Sequence, residues 1–219
     1  MSYKSITKSS YINEGLDALR IAKKVNTKSQ LKDELIINQN SDASRDTCWA
    51  QINKRYLKYE DEKINKNLLV NLIDYNGKKL NKELMYYHYL QTETIAKKTV
   101  LDYIYPRLLS EGSFQLKRND VIHFINQYLD YSEATLKKTA RSIVKALIDF
   151  GLAESNNSEV MVKYYEPTLI TFIYCFYAEY SPGFKEAKQF NILNPSLKHI
   201  KENADFYKLL LVKPALIKS

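Results

Sequence analysis

The stretch from Ser132 to Val162 constrains this chain most, because it sets a long helix, a stop and a strand in succession. Ser132 suits an N-cap, where its hydroxyl takes an orphan amide of the first turn. Glu133 follows where a negative charge favours the positive helix end. Leu136, Ala140, Ile143, Val144 and Leu147 then recur at the spacing of one buried helical face. Lys137, Lys138, Arg141 and Lys145 point away from that face, and no acidic residue interrupts them between Leu136 and Ile148. Gly151 stops the helix, since glycine enters the left-handed region without a Cβ clash. Leu152-Ala153-Glu154 leads to Ser155-Asn156-Asn157-Ser158, which has turn composition, and Val160-Met161-Val162 reads as a short strand.

Upstream, Asn119 suits the cap of a helix carrying Val121, Ile122, Ile125 and Leu129, and Asp130-Tyr131 separates it from Ser132. Helix, tight turn, basic helix and hairpin describe a winged helix-turn-helix, whose second helix can enter a major groove. The plain alternative is a packing unit with a solvated lysine face.

A second helix pair is expected near the N-terminus. Ile12, Leu16, Leu19 and Ala22 form a helical stripe, weakened by Gly15. Arg20, Lys23, Lys24, Lys28 and Lys32 follow with no acidic residue between Ala18 and Leu31. Thr27-Lys28-Ser29-Gln30 fits a capping box. The next helix, from about Ser44 to Tyr59, should bury Trp49, Ile52 and Tyr56 and show Lys54, Arg55 and Lys58 on another sector. Arg45 opens it, where the helix dipole does not favour a cation, and a phosphate would supply a reason. An ordinary solvated arginine is the alternative.

A long helix is expected from about Asn81 to Tyr105, ended or kinked at Pro106. It would serve as a spine, with Tyr86, Tyr87 and Tyr89 in packing roles rather than as a base-stacking platform. Pro167 suits the first turn of a helix through Leu169, Ile173 and Tyr177 that is apolar on nearly every side, hence buried or facing a partner. Ser181-Pro182-Gly183 would end it. Helical hints at Leu197 to Ile200 and Phe206 to Leu211, broken by Pro195 and Pro214, fill a basic tail carrying Lys208, Lys213 and Lys218.

Charge bears on partners. The net charge of +8 favours an anionic partner, nucleic acid first and an acidic protein second. Residues 1–66 carry 13 basic and 9 acidic residues, half of that excess. Cys48 and Cys175 match no metal spacing and read as reduced core thiols in a cytoplasmic protein. Lys4, Lys8 and Ser9-Ser10 stand where a signal peptide would be apolar, and the longest apolar stretch, Leu169 to Ala178, falls short of the ~20 residues that span a membrane. His88, His123 and His199 are dispersed, and His123 reads as structural. Glu60-Asp61-Glu62 reads as a solvated acidic break. No phosphate loop or nucleophile elbow is present, so neither enzyme activity nor a cofactor or metal is expected.

Ser44-Arg45 leading into Ile52-Asn53-Lys54-Arg55-Tyr56-Leu57, a long central helical region, and Tyr131-Ser132-Glu133-Ala134-Thr135 running into Ile143-Val144-Lys145-Ala146-Leu147-Ile148-Asp149-Phe150-Gly151-Leu152 together resemble the BrxA family. That family is a small component of bacteriophage-exclusion (BREX) defence systems. The resemblance covers most of the chain up to about Tyr180. It implies a mostly helical cytoplasmic protein that binds double-stranded DNA without catalysis, beside other defence-system proteins. It transfers no site residue.

The expectation is a mainly α, multi-helix protein with two helix-turn-helix-like units, the C-terminal one winged by a small β-hairpin. Its parts would be 1–66, a helical spine at 67–113, a winged unit at 114–166 and a tail segment at 167–219. The candidate DNA contacts are Lys137, Lys138, Arg141 and Lys145, with Arg45, Lys54, Lys58, Arg20, Lys23 and Lys24. An adaptor whose basic faces dock on an acidic partner is the main alternative, and a sequence-specific repressor a third.

Overall fold

In the computed structural model, which describes residues 9–156, 159–180 and 205–213, the chain is mainly helical with two small antiparallel sheets. The first helix, α1 (Ile12–Ala22), buries Gly15, Ala18, Leu19 and Ala22. Gly15 weakens helix propensity but permits packing. A Cβ there would lie 2.7 Å from Tyr56 Cε2 and 2.9 Å from Met85 Cε. The expected capping box opens α2 (Lys28–Glu34): Thr27 Oγ1 accepts from the Gln30 amide, and Gln30 Oε1 accepts from the Thr27 amide. Ser41 caps α3 (Asp42–Tyr56) by accepting from the Ser44 amide at 3.2 Å.

Helix α3 buries Cys48, Ile52, Arg55 and Tyr56, while Trp49, expected inside, is only partly buried. The buried sector is rotated because Arg55 turns inward to Glu93. The helix ends at Tyr56, so Lys58 lies beyond it. Two-residue strands β1 (Tyr59–Glu60) and β2 (Lys63–Ile64) then pair. Of the acidic triplet, Glu60 ends β1, and Asp61 and Glu62 form the turn with φ of 49° and 63°, as a two-residue hairpin loop needs. Thr27, just before α2, bridges to Lys63 of β2.

The expected single spine is broken. After α4 (Leu68–Leu72) comes α5 (Gly77–Thr92), which stops at Glu93. Then follow α6 (Thr94–Thr99), a π turn at Val100–Ile104 and α7 (Tyr105–Glu111). Glu93 leaves helical geometry, and its carboxylate meets Arg55. Pro106 does not end a helix. The helix runs on without a break from α6 through the π turn into α7, and Pro106 follows that turn, where the Tyr105 amide bonds five residues back to the Val100 carbonyl. Helix α5 is central and packs against α1, α3 and others described below. Leu80, Glu83, Leu84, Met85, Tyr86, Tyr87, Tyr89 and Leu90 put buried side chains on every side of it.

The C-terminal unit adds an unexpected strand, β3 (Ser113–Gln115), before α8 (Arg118–Asn126) and α9 (Glu133–Phe150). Strands β4 (Ala153–Asn156) and β5 (Glu159–Lys163) follow, in sheet order β3-β5-β4. Val162 lies opposite both Phe114 and Ala153, and all three are buried. Ser155 and Asn156, expected in a turn, belong to β4, while Asn157 and Ser158 lie outside the described residues. Neither expected cap operates. Lys117 occupies the N-cap of α8, and the Ser132 hydroxyl meets Thr135 Oγ1 instead of a backbone amide. The connection spans 127–132 and tucks Leu129 into the core. His123 is exposed and plays no core role.

Gly151 closes α9 as expected, with φ 85°. Its amide donates to the Ile148 carbonyl and the Leu152 amide to that of Leu147, a Schellman closure. The last described helices are α10 (Leu169–Tyr180) and α11 (Phe206–Leu209), both against α5, as is α9. Pro167 precedes α10 rather than lying in its first turn. The fully buried Glu83 fixes the start of α10 by accepting from Tyr165, from the Thr168 amide and hydroxyl, and from Thr171. Burial of α10 is one-sided: Leu169 and Ile173 are 73% and 44% exposed. The expected stop at Ser181-Pro182-Gly183, the helix at Leu197 to Ile200, and Pro195, Pro214 and Lys218 lie outside the described residues.

One order of elements occurs twice. Helix, strand or bridge, helix, helix and hairpin run as α1, Thr27, α2, α3, β1, β2 and again as α7, β3, α8, α9, β4, β5. Each time, the segment before the second helix pairs with the last strand of the hairpin. Among the described residues no helix is long and apolar enough to cross a membrane.

Candidate nucleic-acid interface

Helix α9 divides into two faces. Leu136, Thr139, Ala140, Ile143, Val144, Ala146, Leu147 and Phe150 are buried. Lys137, Lys138, Arg141 and Lys145 are exposed opposite them. Two of these four are engaged along the helix. Lys137 pairs with Glu133 at 2.5 Å and holds that carboxyl below its usual range. Lys145 pairs with Asp149 at 2.7 Å. Asp149 also accepts from the Ser10 hydroxyl at 2.6 Å, so Lys145 faces a polar cavity beside α1 rather than the free end of α9. Lys138 and Arg141 form no ion pair or side-chain hydrogen bond among the described residues.

Lys117 and Arg118 add two exposed cations at the start of α8. A positive charge there opposes the helix dipole, the same argument the sequence raised for Arg45. Sequence reasoning missed this pair, although two adjacent cations opening a helix were there to be read. On the hairpin, Lys163 pairs with Glu154 at 2.5 Å. Arg107 is structural, lying 4.1 Å over the Phe114 ring and pairing with Glu111 at 2.8 Å.

The N-terminal cations are mostly engaged within the chain. Arg45 has its own partners, the Asp42 carboxylate and the Gln39 carbonyl, so it calls for no phosphate. Arg20 donates to Asp74 at 2.8 Å and to Asp17 at 3.2 Å, and that bond holds the Asp74 carboxyl below its usual range. Lys23 donates to the Ile73 carbonyl and Lys54 to that of Thr92. Lys24 and Lys58 are exposed and form neither kind of contact among the described residues. Lys58 sits apart, beside Leu68, His88 and Tyr174.

Burial holds the Cys48 and His88 side chains in their neutral forms. Burial pushes the Cys48 thiol up to about 12, so it stays protonated and unreactive. Burial, with Lys58 nearby, lowers His88 to about 4, and its Nε2 meets the Tyr174 hydroxyl at 2.5 Å. Among the described residues no three His, Cys, Asp or Glu side chains gather in a way that could hold a metal. No family model, curated protein or solved structure matches the chain.

Proposed function

We propose that this chain binds duplex DNA without catalysis, chiefly through phosphates, with α8, α9 and the β4–β5 hairpin acting as a winged helix-turn-helix. Helix α9 lies in the major groove, and Lys117 and Arg118 meet the adjacent backbone. The observation that carries the reading is the pair Lys138 and Arg141. Both stand exposed, without a carboxylate partner among the described residues, on a helix whose other face is core. The N-terminal unit is a second winged helix-turn-helix on the same element order. The resemblance to the BrxA family extends the proposal to a place in a phage-defence system, beside other defence proteins in the cytoplasm.

A second reading has its own observation. Arg20, Lys23, Arg45 and Lys54 are all satisfied within the chain. That concentrates duplex contact in the C-terminal unit and leaves the N-terminal one to packing or to a partner contact that does not run through these cations.

Fluorescence anisotropy on unrelated duplexes of equal length tests the proposal. Phosphate contacts carry no direct sequence information, so affinities should agree within about tenfold, against the ~10³-fold or greater ratio of specific binders. Selection of one strong consensus would favour a repressor. Absence of duplex affinity at physiological salt would favour the adaptor throughout.

A further inference from the structure

A groove of about 410 Å³ opens between α4 and α10, away from α8 and α9. Leu68, Tyr174, Tyr177 and Ala178 supply its apolar wall, His88 lies on α5 beneath, and Lys58 stands at the rim. Its volume is in the range of sites that enclose small molecules or side chains. The apolar surface continues past the groove. Leu68 is 54% exposed, and Leu169 and Ile173 extend the stripe of Tyr177 at four-residue spacing along α10. Exposed apolar side chains set along one helix beside a groove are the kind of surface that marks interaction sites.

Charge selects the occupant. Among the described residues, Lys58 is the charged side chain of the lining and no carboxylate lines the groove. Lys58 forms no ion pair among the described residues. His88 is engaged with Tyr174 and adds no second cation at neutral pH. A stripe of apolar side chains with a cation at one edge complements an amphipathic helix with carboxylates flanking its apolar face. We infer that this groove docks an acidic amphipathic helix of a partner protein, one apolar side chain entering between Leu68 and Tyr177 while a neighbouring carboxylate meets Lys58. The site does not depend on duplex binding, and its lining shares no residue with α9, so the two can be occupied together.

The test uses the full chain and three labelled amphipathic model peptides, read by fluorescence anisotropy. One has a leucine stripe flanked by glutamates, one has the same stripe flanked by lysines, and one has the glutamates with the leucines replaced by serine. The glutamate–leucine peptide should bind at micromolar concentration, and each of the others at least about tenfold more weakly. Ile173→Asp and Leu68→Asp should each weaken that peptide by about tenfold or more, and Lys58→Ala by about threefold to tenfold. Both aspartate variants change exposed side chains and should keep the parent's thermal melting and duplex affinity. Equal binding of the glutamate–serine peptide would reduce the effect to bulk charge and overturn the inference. So would binding that survives Ile173→Asp, or a groove variant that loses duplex affinity as well. Sedimentation showing a self-associated chain that Ile173→Asp dissociates would assign the face to a second copy and also overturn it. Loss of duplex binding by the parent would sink the DNA reading and leave the peptide result standing.

Discussion

Removing Arg55 should destabilise the fold more than any change on its charged surface. Its side chain is fully buried, and that of its partner Glu93 is 2% exposed. The ion pair spans 3.0 Å, Nη1 donates to the carbonyls of Ser9 and Ser10, and the guanidinium lies 4.8 Å over the Tyr89 ring. Arg55→Met would strand a buried carboxylate and leave both carbonyls without this donor. Breaking a buried pair from one side costs about 3–5 kcal/mol. At about 2–4 °C per kcal/mol for a chain of this length, the melting temperature should fall by about 6–20 °C. The double change Arg55→Met with Glu93→Leu should recover most of that loss, because the penalty belongs to the stranded charge rather than to the missing attraction. Circular dichroism melts at neutral pH read all three proteins. The reasoning fails if Arg55→Met melts within about 2 °C of the parent, or if the double variant is less stable than the single one.

The remaining predictions concern the proposed duplex face, a packing contact and acid sensitivity. Lys138→Ala with Arg141→Ala should lower the salt slope of duplex affinity by about 1.8, or about 0.9 per lost phosphate contact, with unchanged melting. Lys137→Ala, which removes a cation already paired to Glu133, should change it less; equal losses from Lys137 and Lys138 would contradict the assignment. Gly15→Ala should destabilise by about 1–3 kcal/mol despite alanine's better helix propensity, because its Cβ meets the Tyr56 ring. A variant more stable than the parent in urea would show that Tyr56 yields freely. His88 stays neutral in the fold down to about 4, while the unfolded chain takes the proton at 6.5. The unfolded state therefore binds more protons in that window, and stability should fall as pH drops from 6.5 toward 4. His88→Gln should show a smaller drop in urea midpoint between neutral pH and about pH 5 than the parent; an identical drop would remove His88 from the account.

Signals confined to one turn of chain were legible. Thr27 and Gln30 form their capping box, and Gly151 closes α9, because both depend on neighbours within a few residues. The buried stripe of α9 follows equally from its spacing. What escaped depends on distant partners. The break at Glu93 is set against Arg55, which lies 38 residues earlier. Arg20 meets Asp74 across 54 residues, so a run of cations free of local acids still found its counter-charge. For Lys137 and Lys145 the partners were near. Glu133 and Asp149 stand one turn away, just outside the window that read as free of acids. Strand β3 is three residues long, too short to show a period, and it becomes a strand by pairing with β5.

The C-terminal ends of α3 and α9 converge on one ring. Arg55 lies over Tyr89, and Phe150 packs 5.5 Å from it. Seen mechanically, Tyr89 is a fulcrum and α9 a lever arm. Eighteen residues at 1.5 Å each make the arm about 27 Å long. A tilt of about 5° at the pivot would carry its far tip through roughly 2.4 Å, close to the length of a hydrogen bond. A volume change at Phe150 that tilted α9 in this way would therefore be felt one helix length away, against the packing of α8 along the same helix.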